Sequence, residues 1–151
     1  MARSISPQRE QEYAELNAFL DFYSTHISKI DPADPIHPTN VGKLIVAEYG
    51  KSKALEGLRQ AINDTIEDSQ DLSPQAIQEL DAALRSAGII SLIELRRRYS
   101  RKYKSIVRRG TIRNETEYYL IKGILDGCTE ALDATEVDQL GTLLSAYEQR
   151  I

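Results

Sequence analysis

The segment from Ser91 to Leu125 constrains the fold of this chain more than any other stretch of its sequence. It begins with the densest positive charge, in SLIELRRRYSRKYKSIVRRG, and ends with the most apolar helical stretch, in ETEYYLIKGIL. A chain that places these two patterns side by side must bury one face of the first and most of the second. Helical spacing predicts one amphipathic helix over residues 91–109, with an apolar stripe of Leu92, Leu95, Tyr99, Tyr103 and Ile106.

The same helical count places the cations of this segment in two environments. Arg96 falls inside the apolar stripe, which predicts a buried guanidinium with a structural role. The other cations fall on the opposite face and its flank, where a protein partner or a nucleic acid could reach them. These contact candidates are Arg97, Arg98, Arg101, Lys102, Lys104, Arg108 and Arg109.

Both ends of this helix carry sequence signals. Ser91 followed by Glu94 has the spacing of a capping box, and Gly110 supplies the left-handed residue that ends a helix. Asn114 with Glu117 repeats the capping pattern at the start of the apolar helix. Because only a few residues join the two helices, we expect them to be antiparallel neighbours.

Similar signals along the rest of the chain predict an all-α fold. Prolines break the pattern at residues 31–39 and predict a connector after the first helix. We expect one domain, residues 1–151, built as a bundle of about six to seven helices in antiparallel hairpins. The regular spacing of caps also permits a short solenoid-like array. The expected helix starts are Ser6, Thr39, Ser52, Ser73, Ser91, Asn114 and Thr135.

The net charge of −4 conceals a strong segregation of charge along the chain. Residues 91–113 hold nine bases and one acid, whereas residues 1–90 and residues 114–151 each carry a net charge of −6. Much of the positive charge can therefore be neutralised internally or across a subunit contact. This segregation weakens a nucleic-acid hypothesis, because most nucleic-acid-binding domains are basic overall.

The sequence gives little support to catalysis. It lacks a glycine-rich phosphate loop, a His-Glu-x-x-His motif and a nucleophile with a nearby base, so no catalytic residue and no cofactor are expected. Asp31, Asp34 and His37 form a weak metal-binding candidate in the connector. A second acidic group could hold magnesium for nucleotide hydrolysis if it met Glu12 and Glu15. That group consists of Asp64, Glu67, Asp68 and Asp71.

The cysteine content and hydropathy indicate a cytoplasmic protein. Cys128 is the only cysteine, which excludes an internal disulfide and is typical of a reducing compartment. We expect this thiol to be a small buried residue rather than a reactive group. No apolar run reaches the length of a membrane span, and MARSISP lacks the hydrophobic core of a signal peptide, so no membrane contact is expected.

Three functions from different classes remain. The first is a protein-interaction module: a small acidic helical protein that neutralises or positions a protein partner, as immunity and antitoxin proteins do by functional analogy. The alternative is nucleic-acid binding through the basic helix 91–109. The second alternative is a metal-dependent nucleotide hydrolase. A homo-oligomer in which basic and acidic surfaces meet is also consistent with the segregated charge.

Overall fold

The computed structural model describes residues 5–128 and 130–151, and these residues form an all-α protein. The predicted fold class is confirmed, although the described residues form eight α-helices rather than six to seven. A 3₁₀ turn at Ser69–Asp71 follows the third helix. The helices are α1 (Pro7–His26), α2 (Pro38–Tyr49), α3 (Lys51–Asp68), α4 (Pro74–Ser86), α5 (Leu92–Tyr99), α6 (Arg101–Arg109), α7 (Glu115–Gly127) and α8 (Ala134–Arg150).

The extra helix arises because the predicted helix over residues 91–109 breaks at Ser100. This residue has φ −67° and ψ 117°, and its hydroxyl accepts the backbone N–H of Tyr103 at 3.1 Å, which makes it the N-cap of α6. Serine offers the backbone a side-chain acceptor, so it favours a new helix start over a continuous helix. The prediction of one continuous basic helix was wrong at this residue.

The described helices fall into two compact units, each considered by itself. The first comprises the residues up to Asp71 together with Ala82–Ser91. In it, α1 and α3 run parallel: Glu10 pairs with Lys51 near their N-termini, and the Tyr23 hydroxyl lies 3.5 Å from the Asp68 carboxylate near their C-termini. The side chains that fill this unit include Leu16, Phe19, Leu55, Leu58 and Ile62.

The connector at residues 31–39 is ordered by its own polar side chains. The Asp31 carboxylate accepts the Ala33 N–H at 2.8 Å, and the Asp34 carboxylate accepts the Ile36 N–H at 3.0 Å. Each is a turn in which a short acidic side chain caps the backbone two residues ahead. The connector therefore joins α1 to α2 in a fixed conformation.

Three of the predicted helix caps were misplaced. His37, not Thr39, caps α2, because its Nδ1 accepts the Thr39 N–H at 3.3 Å. Gly50, not Ser52, precedes α3 and offers no side-chain cap. Asp133, not Thr135, caps α8 by accepting the N–H of Glu136. In each case the observed N-cap lies two residues before the predicted one. The caps at Ser6, Ser73 and Asn114 are confirmed.

The second unit comprises Leu72–Asp81 and Leu92–Ile151. Within it, α7 packs against α5, α6 and α8, as the apolar composition of α7 predicted. The close approach expected at Gly123 is made by the Ile93 side chain, whose Cδ1 would lie 3.3 Å from an added Cβ. The core consists of Ile93, Tyr103, Ile106, Ile112, Leu120, Ile121, Ile124, Cys128, Leu132, Leu140, Leu143 and Leu144.

Two buried carboxylate contacts fix the start of α5 in this unit. Asp81 is almost fully buried, and its two carboxylate oxygens accept the backbone N–H groups of Leu92 at 2.8 Å and Ile93 at 3.3 Å. A carboxylate in this position satisfies two of the unpaired donors at a helix N-terminus.

No helix in the described part of the chain is both long and apolar enough to cross a membrane.

Candidate binding surfaces

Three of the seven basic contact candidates are bound to carboxylates of their own unit. Glu94 accepts hydrogen bonds from Arg97 at 2.7 Å and from Arg98 at 3.0 Å. Arg109 donates to Glu117 at 2.5 Å and also to the carbonyl oxygen of Thr111. These arginines neutralise acidic residues within the fold, so they contribute less to a contact surface than the sequence predicted.

The Glu94 carboxylate is the centre of a partly buried network. Burial raises the pKa of Glu94, but hydrogen bonds from Arg97, Arg98 and Cys128 outweigh it and hold the pKa below its usual value. The same Glu94 contact raises the pKa of Arg97. Burial raises the pKa of the Cys128 thiol to about 12, and its hydrogen bond to Glu94 acts in the same direction. The network stabilises packing and offers no reactive thiolate.

The structural residues expected from the sequence occupy their predicted places. Arg96 is buried, with 6% of its surface exposed. Gly110 ends α6 in the left-handed region, at φ 77°. Asn114 caps α7 by accepting the Glu117 N–H at 2.9 Å. The Glu117 carboxylate accepts the N–H of Arg113, one residue before the predicted target Asn114, and also binds Arg109.

The remaining basic candidates lie on α6. Arg101, Lys104 and Arg108, hereafter the basic row, are exposed, and their three- and four-residue spacing places them on one helix face. Lys102 is half-buried beside them. Within residues 5–128 and 130–151, no carboxylate lies within 4.0 Å of the charged group of any of these four residues. The basic row is therefore available to an anionic partner.

The acidic candidates are also exposed and lie together in the first unit. The last turns of α3 and the 3₁₀ turn carry four exposed carboxylates, hereafter the acidic end: Asp64, Glu67, Asp68 and Asp71. Among the described residues, no Lys or Arg charge lies within 4.0 Å of their carboxylates. The cations of α3 pair instead near its N-terminal half, where Lys51 binds Glu10 and Arg59 binds Glu12 at 2.5 Å.

A third surface was not predicted from the sequence. Helix α2 contains no buried residue, although its sequence PTNVGKLIVAEY is largely apolar. Ile36, Val41 and Leu44, hereafter the apolar patch, expose 70%, 40% and 67% of their surfaces. The apolar spacing of Val41 and Leu44 had indicated a helix face, but a sequence does not show whether such a face is covered.

The acidic end and the start of α2 lie at the same end of the first unit. The last turns of α1 contact each of them: the Tyr23 hydroxyl lies 3.5 Å from Asp68, and the Thr25 hydroxyl lies 3.0 Å from Nε2 of His37, which caps α2. Helix α2 then runs toward the start of α3, and its Gly42 lies beside the Tyr13 hydroxyl. The first unit thus presents exposed apolar side chains and exposed carboxylates on separate parts of its surface.

The weak metal candidate of the connector is not brought together in the structure. Among the described residues, no group of three or more His, Cys, Asp or Glu side chains is placed to hold a metal ion. Asp31 and Asp34 cap turns of the connector, while His37 is fully buried between Thr25 and Thr39. These three residues therefore stabilise the connector itself.

The second acidic pair that a nucleotide hydrolase needs is also engaged elsewhere. Glu12 is bound by Arg59 through two hydrogen bonds, at 3.1 and 2.5 Å. Glu15 lies within hydrogen-bond distance of Gln11. No observation on the described residues thus favours hydrolysis over binding.

Comparison of the chain with protein-family models, with curated proteins and with solved structures found no match. Its function is therefore inferred from its own surfaces.

Proposed function

We propose that this protein is a protein-interaction module that binds a basic partner through the apolar patch and the acidic end. The observation that carries the proposal is the exposure of α2: Leu44 and Tyr49 leave about two thirds of their surfaces in water, as does Ile36 just before the helix cap. Single exposed apolar residues are ordinary, whereas several on one short helix indicate a contact site.

Exposed apolar side chains and exposed charges on one unit are the two components of a protein interface, which has an apolar centre and a polar rim. Burying a leucine that is otherwise exposed contributes about 1.5–3 kcal/mol, so Leu44 is the expected anchor. The exposed carboxylates of Asp64, Glu67 and Asp71 contribute mainly to specificity and to the rate of association. They select a partner whose contact surface carries lysines and arginines.

One class of partner with this chemistry is a nucleic-acid-processing protein, whose substrate-binding face is positively charged. A small acidic protein that covers such a face blocks access of the nucleic acid. This comparison with immunity and antitoxin proteins is an analogy of function. It rests on the acidic end and the apolar patch.

The proposal is tested by capture of binding proteins from the lysate of the source cells after nuclease treatment. Wild-type bait is compared with Leu44→Glu and with the control Tyr119→Glu, which makes the same kind of change at an exposed aromatic residue on α7. We expect one dominant protein to bind the wild type and the control, and to be lost with Leu44→Glu. Equal capture by all three baits would overturn the assignment of the contact to α2.

The role of the acidic end is tested by measuring how fast this protein associates with the purified partner. We expect its association rate to fall steeply with added salt, because exposed charges act over roughly one Debye length. The triple variant Asp64→Asn, Glu67→Gln, Asp71→Asn should associate slowly at all salt concentrations. A salt-independent rate for the wild type would contradict the role of the acidic end.

The basic row supports a second candidate function, nucleic-acid binding. Three exposed cations on one face of α6 are suited to phosphate contacts, whereas Tyr103 on the same helix is buried and does not offer its ring for base stacking. Binding of this kind is independent of sequence. In a titration of labelled duplex DNA, we expect the triple variant Arg101→Gln, Lys104→Gln, Arg108→Gln to lose binding, while the control Lys43→Gln keeps it. Equal affinity of wild type and triple variant would exclude the basic row.

A further inference from the structure

Three tyrosines cluster on the second unit, where the start of α7 packs against the end of α8. The Tyr118 ring lies 5.5 Å from the Tyr119 ring in an edge-on contact and 5.2 Å from the Tyr147 ring in a tilted one. Tyr119 leaves 48% of its surface exposed, while Tyr118 and Tyr147 are half-buried. An edge-on contact covers at most one face of the Tyr119 ring, so the other face is accessible to a ligand.

Two cations lie over the rings of this cluster. The Nζ atom of Lys122 is 5.8 Å from the centroid of the Tyr118 ring. The guanidinium carbon of Arg150 is 5.5 Å from the centroid of the Tyr147 ring, and the same guanidinium donates to the carbonyl oxygen of Ile112, which fixes its position. Among the described residues, no carboxylate lies within 4.0 Å of either cation. The three tyrosines and these two cations are hereafter the tyrosine platform.

An accessible aromatic face beside unneutralised cations matches the chemistry of a nucleic-acid strand. Bases stack on aromatic rings, and the phosphates that join them are attracted to lysine and arginine. The bases of a duplex are already stacked on one another, so only a single strand can offer a base to Tyr119. The platform has one well-exposed ring and lacks the broad apolar centre of a protein interface, which favours a nucleic acid over a protein.

We infer that the tyrosine platform binds single-stranded nucleic acid, with one base stacked on Tyr119 and the adjacent phosphates at Lys122 and Arg150. The inference goes beyond the proposed function, because the platform shares no residue with the apolar patch, the acidic end or the basic row. Stacking and phosphate contacts carry little sequence information, so affinity should depend weakly on base sequence. The exposed Glu115 lies one helical turn before Tyr119 and repels a phosphate there, so its neutralisation should strengthen binding.

Fluorescence anisotropy of a labelled oligothymidylate, about twelve nucleotides long, tests the inference at about 50 mM salt. We expect Tyr119→Ala to bind about tenfold more weakly than the wild type, whereas Tyr119→Phe keeps the stacking ring and should bind within about twofold. Lys122→Gln should bind about threefold more weakly and reduce the salt dependence by about one phosphate contact. Glu115→Gln should bind about twofold more tightly. The control Tyr49→Ala removes an exposed tyrosine from α2 and should bind like the wild type.

Competition experiments separate this site from the basic row. Unlabelled single strand should displace the labelled strand at a concentration about tenfold lower than duplex of the same length. The basic-row variant (Arg101→Gln, Lys104→Gln, Arg108→Gln) should keep its affinity for the single strand, because the two surfaces have no residue in common. Circular dichroism of each variant checks that the exposed substitutions leave the helices intact.

Three outcomes would overturn the inference. The first is a wild type that binds no oligothymidylate at a protein concentration of about 1 mM. The second is an affinity that Tyr119→Ala and Lys122→Gln leave unchanged, and the third is equal competition by duplex and single strand. If Tyr119→Glu loses a captured protein and the wild type binds no oligothymidylate, a protein occupies the platform in place of nucleic acid.

Discussion

The Arg109 guanidinium donates to the Glu117 carboxylate at 2.5 Å and ties the end of α6 to the start of α7. Glu117 exposes only 6% of its surface, and the backbone N–H of Arg113 is its second donor. A carboxylate with so little access to water needs hydrogen-bond donors from the protein, and these two contacts supply them. Arg109, which the sequence pattern assigned to a contact surface, is therefore part of the structural framework.

Arg109→Ala should cost about 3 kcal/mol in the free energy of unfolding, because it leaves the Glu117 carboxylate buried with one donor fewer. The neighbouring variant Arg108→Ala is the matched control. Arg108 is exposed and has no carboxylate within 4.0 Å among the described residues, so the loss there should stay within about 0.5 kcal/mol. Urea denaturation of both variants measures the difference. Equal losses would show that the ion pair contributes nothing to stability.

Patterning predicted the features that depend on local sequence. Apolar spacing identified α7 as the central helix of its unit, and Asn114 as its cap, because both follow from a few adjacent residues. Burial of Arg96 followed from its place on the apolar stripe of α5. Such properties are fixed by helical geometry and need no knowledge of the neighbouring helices.

The unpredicted features depend on contacts between elements. The break at Ser100 was missed because the apolar stripe continues across it from α5 into α6. The exposure of Leu44 was missed because no pattern shows whether another helix covers a face. The pairing of Arg109 with Glu117 was missed because it forms across a turn, whereas Arg97 and Arg98 pair with Glu94 at a helical spacing that the sequence itself contains. Sequence spacing alone does not decide which partner a charged side chain finds.

Substitution by alanine should have opposite effects on folding stability at two glycines, Gly127 and Gly141. An added Cβ at Gly127 would lie 3.0 Å from Cγ2 of Ile93, a buried and branched side chain with little freedom to move. We expect Gly127→Ala to destabilise the protein by about 1–3 kcal/mol. Gly141 lies inside α8 with open space around its Cα, so Gly141→Ala should stabilise it by about 0.5–1 kcal/mol. Urea midpoints of the two variants should shift in opposite directions, and a stabilising Gly127→Ala would contradict the α5–α7 packing.

His37 should be replaceable by asparagine but not by alanine. Its imidazole is fully buried, and Nδ1 accepts the Thr39 N–H at the start of α2. Asparagine is a strong N-cap residue that keeps an acceptor there, whereas alanine offers none. We expect His37→Ala to be less stable than His37→Asn by about 1 kcal/mol, measured by urea denaturation. Equal stability of the two variants would show that the histidine acts through packing and not as a cap.

The Cys128 thiol should make folding stability fall at alkaline pH. Burial, reinforced by the hydrogen bond to Glu94, raises its pKa in the folded protein from 9.0 to about 12. The unfolded chain therefore loses this proton first, and the stability that the neutral thiol contributes is present below pH 9.0 and is lost as the pH rises toward about 12.

Urea denaturation of the wild type and Cys128→Ala at intervals from pH 8 to pH 11 measures this dependence. The difference in unfolding free energy between the two proteins should be constant below about pH 9 and should shrink above it, because alanine has no proton to lose. The same burial predicts that Ellman's reagent labels the native thiol very slowly at pH 8 and labels it fully in denaturant. Rapid labelling of the native protein would contradict the buried, hydrogen-bonded thiol beside Glu94.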